Sequence, residues 1–271
     1  MMAYSPEYRR ILNRMGYYSY QSGLIYRHLN QEGGWDSHLE KCRGYILRAV
    51  DKFRPEKITV LGSGWLLDLP LAEISEKTGM VVLSDIVHPP EVARQVKDLK
   101  NVELVEADAT GGLIEVVWNK VHEHSFFARL RSLKDISVPV FKPADDPGLV
   151  ISLNILTQLD TLIIEFLRKR AKIEESDLRS FSSEIQRAHI SFLSGHCSVL
   201  LTDVEEVFLN SRGESEIVPT LKTKIPEGCN SEEWTWGFDL KGSDYNNLRS
   251  RMKVIATTYC DDKGRAEKQV S

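Results

Sequence analysis

Long apolar runs are missing from this chain of 271 residues. The longest, such as "GLVISLNIL" at 148–156, fall well short of the roughly 20 residues that a membrane-spanning helix needs. No membrane contact is expected. The opening residues, "MMAYSPEYRR", lack an apolar core, so no secretory signal is expected either. Cysteine is scarce. Cys42, Cys197, Cys229 and Cys260 lie far apart and no Cys-x-x-Cys occurs, which excludes the usual zinc-ribbon and redox-pair patterns. Free thiols in a reducing cytoplasm are the simplest expectation. An excess of positive charge is also lacking. The formal net charge of −4 gives no electrostatic footprint for nucleic acid or an anionic membrane surface. Repeats and low-complexity tracts are absent. What remains is an ordinary globular composition, long enough for one α/β domain with an appendage.

The first fifty residues are helical in pattern. Tyr8, Ile11, Leu12, Met15 and Tyr18 recur at helical spacing within 6–30. After "QEGGWD", Ser37 followed by Glu40 has the form of a capping box. The next helix sets Leu39, Cys42, Ile46, Ala49, Val50 and Phe53 on one side, and Pro55 ends it. Residues 1–55 therefore read as a helical arm. From residue 56 the rhythm changes to short apolar runs alternating with helical segments. "KITVLGS", "MVVLSDI", "VELVEADAT", "GLVISLNIL" and a run within "HCSVLLTDVEEVFL" read as five strands. "LAEISEKTG", "PPEVARQVKDLKN", "GLIEVVWNKVHEHSFFARLRSL", "QLDTLIIEFLRKRAKI" and "DLRSFSSEIQRAHISFLS" read as the helices between or after them, the first stopped by Gly79. Buried parallel strands joined by right-handed crossovers are expected from that alternation. The tail breaks it. The runs at 232–240 and 251–260 are joined by only ten residues, which predicts an antiparallel pair.

Three turns fall at the C-terminal ends of the first three strands, where open α/β sheets bind ligands. Gly62-Ser63-Gly64 lets backbone approach a ligand closely, with a helix N-terminus behind it. Asp85 closes the second strand, 21 positions after Gly64, and can accept both hydroxyls of a ribose. Asp108 comes after the third strand and can accept from an adenine amino group, or simply bond its own turn.

This ordered set resembles the class I S-adenosylmethionine-dependent methyltransferases over roughly residues 57–260. The resemblance implies a Rossmann-like, doubly wound, mostly parallel sheet of seven strands, whose last strand inserts antiparallel in a C-terminal hairpin. It implies S-adenosyl-L-methionine as cofactor, held by Gly62, Ser63, Gly64, Asp85 and Asp108, with Ile86 and Ala109 beside the adenine. It also places Asn154, after the fourth strand, near the methyl-transfer site. Two positions depart from the pattern. Val60 stands where the family usually has an acid, and Leu66 where it usually has a third glycine. Asp68 reads as the N-cap of the next helix, or as a replacement carboxylate near the turn.

Methyl transfer rests largely on proximity and alignment, so no catalytic residue is assigned. The acceptor is unidentified, with a small molecule favoured. Two other readings stay open: a methyltransferase-like protein that binds a nucleoside or a partner without turnover, and a nicotinamide-dependent oxidoreductase. The other polar residues have plainer readings. His189 is expected to pack or hydrogen-bond in the core. His122 and His124 do not share a helix face, so no metal site is expected there. Trp234 and Trp236 read as core or sheet cover, and the arm tyrosines Tyr17, Tyr18, Tyr20 and Tyr26 as packing groups or an acceptor wall. The arm is expected either to pack over the C-terminal strand ends as part of the acceptor pocket or to cover one face of the sheet.

Overall fold

Three helices precede any strand: α1 (Pro6–Met15), α2 (Tyr17–Asn30) and α3 (Asp36–Phe53). The computed structural model describes residues 4–123, 129–243 and 247–260. The Ser5 hydroxyl accepts from the Tyr8 N–H at 3.1 Å and starts α1, and Gly16, at φ 93°, ends it. The Ser37–Glu40 box does not form. α3 starts at Asp36, with Trp35 at the cap and no side-chain capping bond. The Gly33 carbonyl accepts from the Asp36 N–H at 3.1 Å instead. Turn geometry thus sets that helix start.

The strands are β1 (Lys57–Leu61), β2 (Met80–Asp85), β3 (Val102–Glu106), β4 (Leu149–Leu153), β5 (Ser198–Leu209), β6 (Ser215–Pro219), β7 (Cys229–Asp239) and β8 (Arg249–Thr258). Between them come α4 (Leu71–Lys77), α5 (Pro90–Val96), α6 (Leu113–His122), α7 (Thr161–Arg170) and α8 (Glu175–Ser194). They build one sheet in the order β3-β2-β1-β4-β5-β8-β7. The first five strands run parallel. β8 inserts between β5 and β7, antiparallel to both. The Rossmann-like architecture and the terminal hairpin are therefore as expected, and the order reverses between β1 and β4. A ligand crevice is expected at that switch point.

The strand count and one helix need correction. The sheet has eight strands, because β6 folds back on the outer half of β5. Every residue of β6 is exposed, so it carries no buried apolar stripe to mark it. The helical run expected over 112–133 stops at His122. Leu130, Leu133 and Ile136 lie beyond it, without helix, yet pack into the same cluster as α6 and α7. Their burial gives them helix-like spacing. α4 is also not stopped by a left-handed Gly79; its cap is Thr78 in extended conformation.

Helices cover both faces. α3, α4 and α5 pack one side, against Ile58, Val60, Leu83 and Ile151. α1, α6, α7 and α8 form the other main cluster. The arm thus straddles the sheet, with α3 on one side and α1 on the other. α2 lies across the strand ends, where Gln21 bonds Asp85 and the Val87 carbonyl.

The expectation of four free thiols is also corrected. A disulfide joins Cys197 to Cys260, while Cys42 and Cys229 are free. Cys197 precedes β5 and Cys260 lies just after β8, and the adjacent register pairs Val199 with Thr258. Only the antiparallel insertion of β8 brings these cysteines together. Among the described residues, no helix is long and apolar enough to cross a membrane.

Candidate functional site: a pocket at the switch point

The turn after β1 sets the floor of the pocket. Gly62 has φ 80°, and a Cβ there would stand 2.8 Å from Ile155 Cβ and 2.9 Å from the Leu153 carbonyl oxygen. Only glycine fits, because the turn after β1 touches the turn after β4. Gly64 is different. A Cβ there would meet nothing nearer than 3.9 Å, and its N–H donates to Asp85 Oδ2 at 2.7 Å. Open space therefore lies above Gly64. Leu66 has φ 62°, so the backbone keeps a left-handed shape without a glycine. Its side chain joins the main core cluster, and that burial offsets the strain. Val60 is fully buried in the same cluster, facing away from the pocket, where a carboxylate would lack a partner.

Asp85 is held from three sides. Oδ1 accepts from the Ile86 N–H at 2.7 Å and from Gln21 Nε2 at 3.2 Å, and Oδ2 from Gly64. Burial pushes its carboxyl up from the usual range, and the Gly64 and Ile86 N–H groups oppose that. Asp108 Oδ2 accepts from the Tyr8 hydroxyl at 2.9 Å, and Oδ1 from the Thr110 N–H at 2.8 Å. Burial raises it as well, against those bonds. Asp108 thus bonds its own turn and the arm together.

Asp68 does not cap α4, correcting the expected N-cap. That helix begins after Pro70, with no side-chain cap. Asp68 Oδ2 instead accepts from Asn154 Nδ2 at 2.7 Å, across the β1–β4 switch. Asn154 is left-handed, at φ 50°, and its Oδ1 is buried without a partner. An orphaned acceptor of this kind costs about 1–3 kcal/mol, so a donor at that point would stabilise the site.

His38, Cys42 and Asp68 place one potential ligand atom each within 4.8 Å of one another. His38 in this group is also held by hydrogen-bonding neighbours, with Asn154 Nδ2 3.4 Å from its Nε2. Trp234 Nε1 donates to His38 Nδ1 at 3.1 Å, and an indole nitrogen is a donor only. Burial holds the imidazole neutral, with its pKa lowered to about 3. The ring proton is therefore on Nε2, which lies 3.6 Å from Cys42 Sγ. Coordination through Nε2 would require that proton to leave.

Gly62, Gly64, Asp68, Asp85, Ile86, Asp108, Ala109 and Asn154 all line one pocket. Its empty volume is about 1160 Å³, counting the open mouth. Ser63 is not on the wall; it is buried, with an unpartnered hydroxyl. The opposite wall includes Tyr17 and Tyr20 of the arm, whose tyrosines are the candidate acceptor wall, together with Gln21, Trp35 and His38, which the sequence did not mark as functional. Trp236, read as core, also reaches it, with its ring stacked 3.9 Å from His38. Helical spacing singled out Tyr8, but nothing in the sequence ties it to Asp108, 100 positions away. His189 is a packing histidine: it is buried beside Ser152 Oγ at 2.8 Å, outside the pocket, with its pKa lowered to about 4 by burial. His122 Nδ1 donates to the Trp118 carbonyl at 2.7 Å, and His124 lies outside the described residues.

No family model matches this chain, and no curated protein matches it. Solved structures do. DhpI in complex with SAH has a TM-score of 0.38 at 12% identity, covering 92% of this chain and 96% of that one. The 1,6-didemethyltoxoflavin-N1-methyltransferase of Burkholderia thailandensis, with bound S-adenosylhomocysteine, has a TM-score of 0.35 at 11% identity, covering 95% and 92%. CalS10, an amino pentose methyltransferase from Micromonospora echinaspora with SAM bound, has a TM-score of 0.29 at 15% identity, covering 88% and 84%. At identities and scores this low, any functional reading rests on the strand order and the pocket of this chain itself.

Proposed function

We propose that this protein transfers a methyl group from S-adenosyl-L-methionine to a small-molecule acceptor. One observation carries the reading. Asp85, Asp108 and the open backbone of Gly64 meet in a single pocket at the switch point of a sheet whose last strand inserts antiparallel. When bound, the cofactor supplies an electrophilic methyl group on a sulfonium, which a nucleophile takes by displacing the sulfur. The residues of this chain bind and orient. Asp85 accepts the ribose hydroxyls, sharing its oxygens with Gly64 and Gln21. Ile86 and Ala109 flank the adenine, and Asp108 accepts from its amino group. Asp68 takes the place of the acid absent at Val60, and with Asn154 Oδ1 it accepts from the methionine ammonium. Gly62 and Gly64 give the backbone clearance this needs, and Ser63 fixes the turn beneath them.

The chain thus reads as an arm, 1–55, and a methyltransferase-like domain, 56–271, with the arm closing the pocket. The cytoplasm is the compartment this reading implies. The Cys197–Cys260 bond pulls the other way, since disulfides concentrate in oxidising compartments.

Calorimetric titration of the full chain with S-adenosylmethionine, S-adenosylhomocysteine and NAD tests the proposal. Binding of the first two but not of NAD is expected. Binding of NAD alone would convert the reading to an oxidoreductase, and binding of none would remove it.

A further inference from the structure

The wall of the pocket facing Asp68 and Asn154 has its own chemistry. It is aromatic: Tyr17, Tyr20, Trp35, His38 and Trp236 all contribute. It is also neutral. No arginine or lysine lines the pocket among the described residues. The Tyr20 hydroxyl is pushed up to about 12 by burial, and the Tyr17 hydroxyl is also raised by burial. His38 is uncharged, with both ring nitrogens engaged. An anionic acceptor would find no counter-charge here and would share the pocket with the carboxylates of Asp68, Asp85 and Asp108.

A cationic acceptor fits no better. Recognition of a cation by aromatic rings needs open ring faces. Here His38 and Trp236 each take one face of the other, so the rings offer a single flat wall and do not surround a cation. His38 lies flat on Trp236, with 6° between the planes. Trp35 stacks on Phe238 at 13° and meets Trp236 edge-on at 80°. The rings form a flat-sided slot rather than a cage.

One polar group belonging to a residue of that wall is unspent. Trp236 Nε1 is buried without a hydrogen-bond partner. An indole N–H can only donate, so its missing partner is an acceptor atom, which an ammonium cannot supply. The other two orphans on pocket residues, Asn154 Oδ1 and Gln21 Oε1, are acceptors on the cofactor side.

We propose that the methyl acceptor is an uncharged planar ring carrying a carbonyl oxygen or ring nitrogen, seated against His38 and Trp236 with that atom accepting from Trp236 Nε1. This rests on the methyl-transfer reading for the name "acceptor", but the chemistry of the slot stands apart from it. The transfer balances without a base from the slot. A lone pair on the ring substrate forms the new bond to the methyl carbon, the carbon–sulfur bond breaks, and its electron pair stays on sulfur. Any proton on the attacking atom leaves to solvent.

The test is titration of the full chain with 4-quinolone and with quinoline-4-carboxylate, in the absence and in the presence of saturating S-adenosylhomocysteine. The neutral ring is expected to bind at least about tenfold tighter than the carboxylate in both states. Trp236→Phe keeps a ring but removes the donor, and is expected to weaken 4-quinolone by about threefold to tenfold. Equal or tighter binding of the carboxylate overturns the proposal, as does binding of neither. An unchanged affinity in Trp236→Phe overturns the role of Nε1. Failure of S-adenosylhomocysteine to bind removes the cofactor reading, while the preference measured without it still decides the chemistry of the slot.

Discussion

The two walls of the pocket are built in opposite ways. The cofactor-side wall runs from Gly62 to Ala109, in strand-end turns that succeed one another along the chain. It consists of glycine backbone, the buried carboxylate of Asp85, the half-buried carboxylates of Asp68 and Asp108, and their N–H donors. The acceptor-side wall is assembled from distant pieces: α2 and α3 of the arm, the turn after β4, and Trp236 on β7. It consists of rings held by other rings. The first wall presents fixed charge where hydroxyl and amino groups can meet it, and the second presents shape. Under the proposed function, such a pocket would separate recognition of the cofactor from recognition of the substrate.

The walls meet at Gly62, so the largest effect is expected there. Gly62→Ala drives a methyl group into Ile155 and the Leu153 carbonyl at φ 80°. Left-handed strain and overpacking together destabilise by about 2–5 kcal/mol. Thermal unfolding should show a large fall in Tm, and both S-adenosylhomocysteine and 4-quinolone should bind weakly. Retained quinolone binding would show that the walls are independent.

Asp85 and Asp108 test the cofactor wall alone. Asp85→Ala removes an acceptor for two ribose hydroxyls, and charge-assisted bonds are worth about 1.5–3 kcal/mol each. S-adenosylhomocysteine affinity should fall by about 100-fold. Asp108→Ala removes one bond to the base and should give about tenfold. Quinolone affinity should stay within about twofold in both. Calorimetry on each variant, checked for folding by circular dichroism, reads the comparison, and equal affinity of Asp85→Ala and the parent would discard the ribose assignment.

The same contrast explains what was legible in the sequence. The turn at Gly62 to Gly64, Asp85 and Asp108 are local events at strand ends, so order and spacing reveal them. The terminal hairpin was legible from two apolar runs and a short linker. β6 was not, because it has no buried face. The Cys197–Cys260 bond and the Tyr8–Asp108 and Gln21–Asp85 bonds depend on pairs 63, 100 and 64 positions apart. Asp68 was misread as a cap because its partner, Asn154, arrives only when β4 docks beside β1. Trp236 looked like core because it is core on one side; its role as a wall depends on α3 stacking His38 against it.

Acidification should pull the two walls apart. His38 has a pKa lowered to about 3, below an ordinary value of 6.5. Below pH 6.5 the unfolded chain takes up a proton that the folded chain refuses, so this group's contribution is full at neutral pH and is lost as pH falls toward 3. The carboxyls of Asp68, Asp85 and Asp108 are raised by desolvation. They act in the other direction, taking up protons in the folded state first and gaining stability as pH falls toward 3.8. His38→Gln isolates the first effect. Between pH 6.5, where the unfolded imidazole is half protonated, and pH 5 the parent should lose about 1.6 kcal/mol more than the variant, the slope approaching about 1.4 kcal/mol per pH unit. Denaturant titrations at the two pH values measure this, and parallel losses would mean that His38 is not held neutral.

The smallest effect concerns the departure at Leu66. Its backbone is left-handed, at φ 62°, and its side chain is 8% exposed. Two opposing contributions therefore act at one residue. A left-handed non-glycine residue is disfavoured by about 1–2 kcal/mol, while loss of a buried leucine side chain costs about 2–5 kcal/mol. Burial is the larger, which accounts for leucine being tolerated where glycine would be easier on the backbone. Leu66→Gly should therefore destabilise, despite relieving the strain. Leu66→Ala keeps the strain and loses most of the packing, so it should be less stable than Leu66→Gly by about 1 kcal/mol. This reverses the usual order, in which glycine is the worse replacement because it leaves the unfolded chain freer. Urea unfolding of the two variants gives the difference directly. If alanine proves the more stable, Leu66 is not left-handed in solution, and the turn after β1 does not keep the backbone form on which the cofactor wall depends.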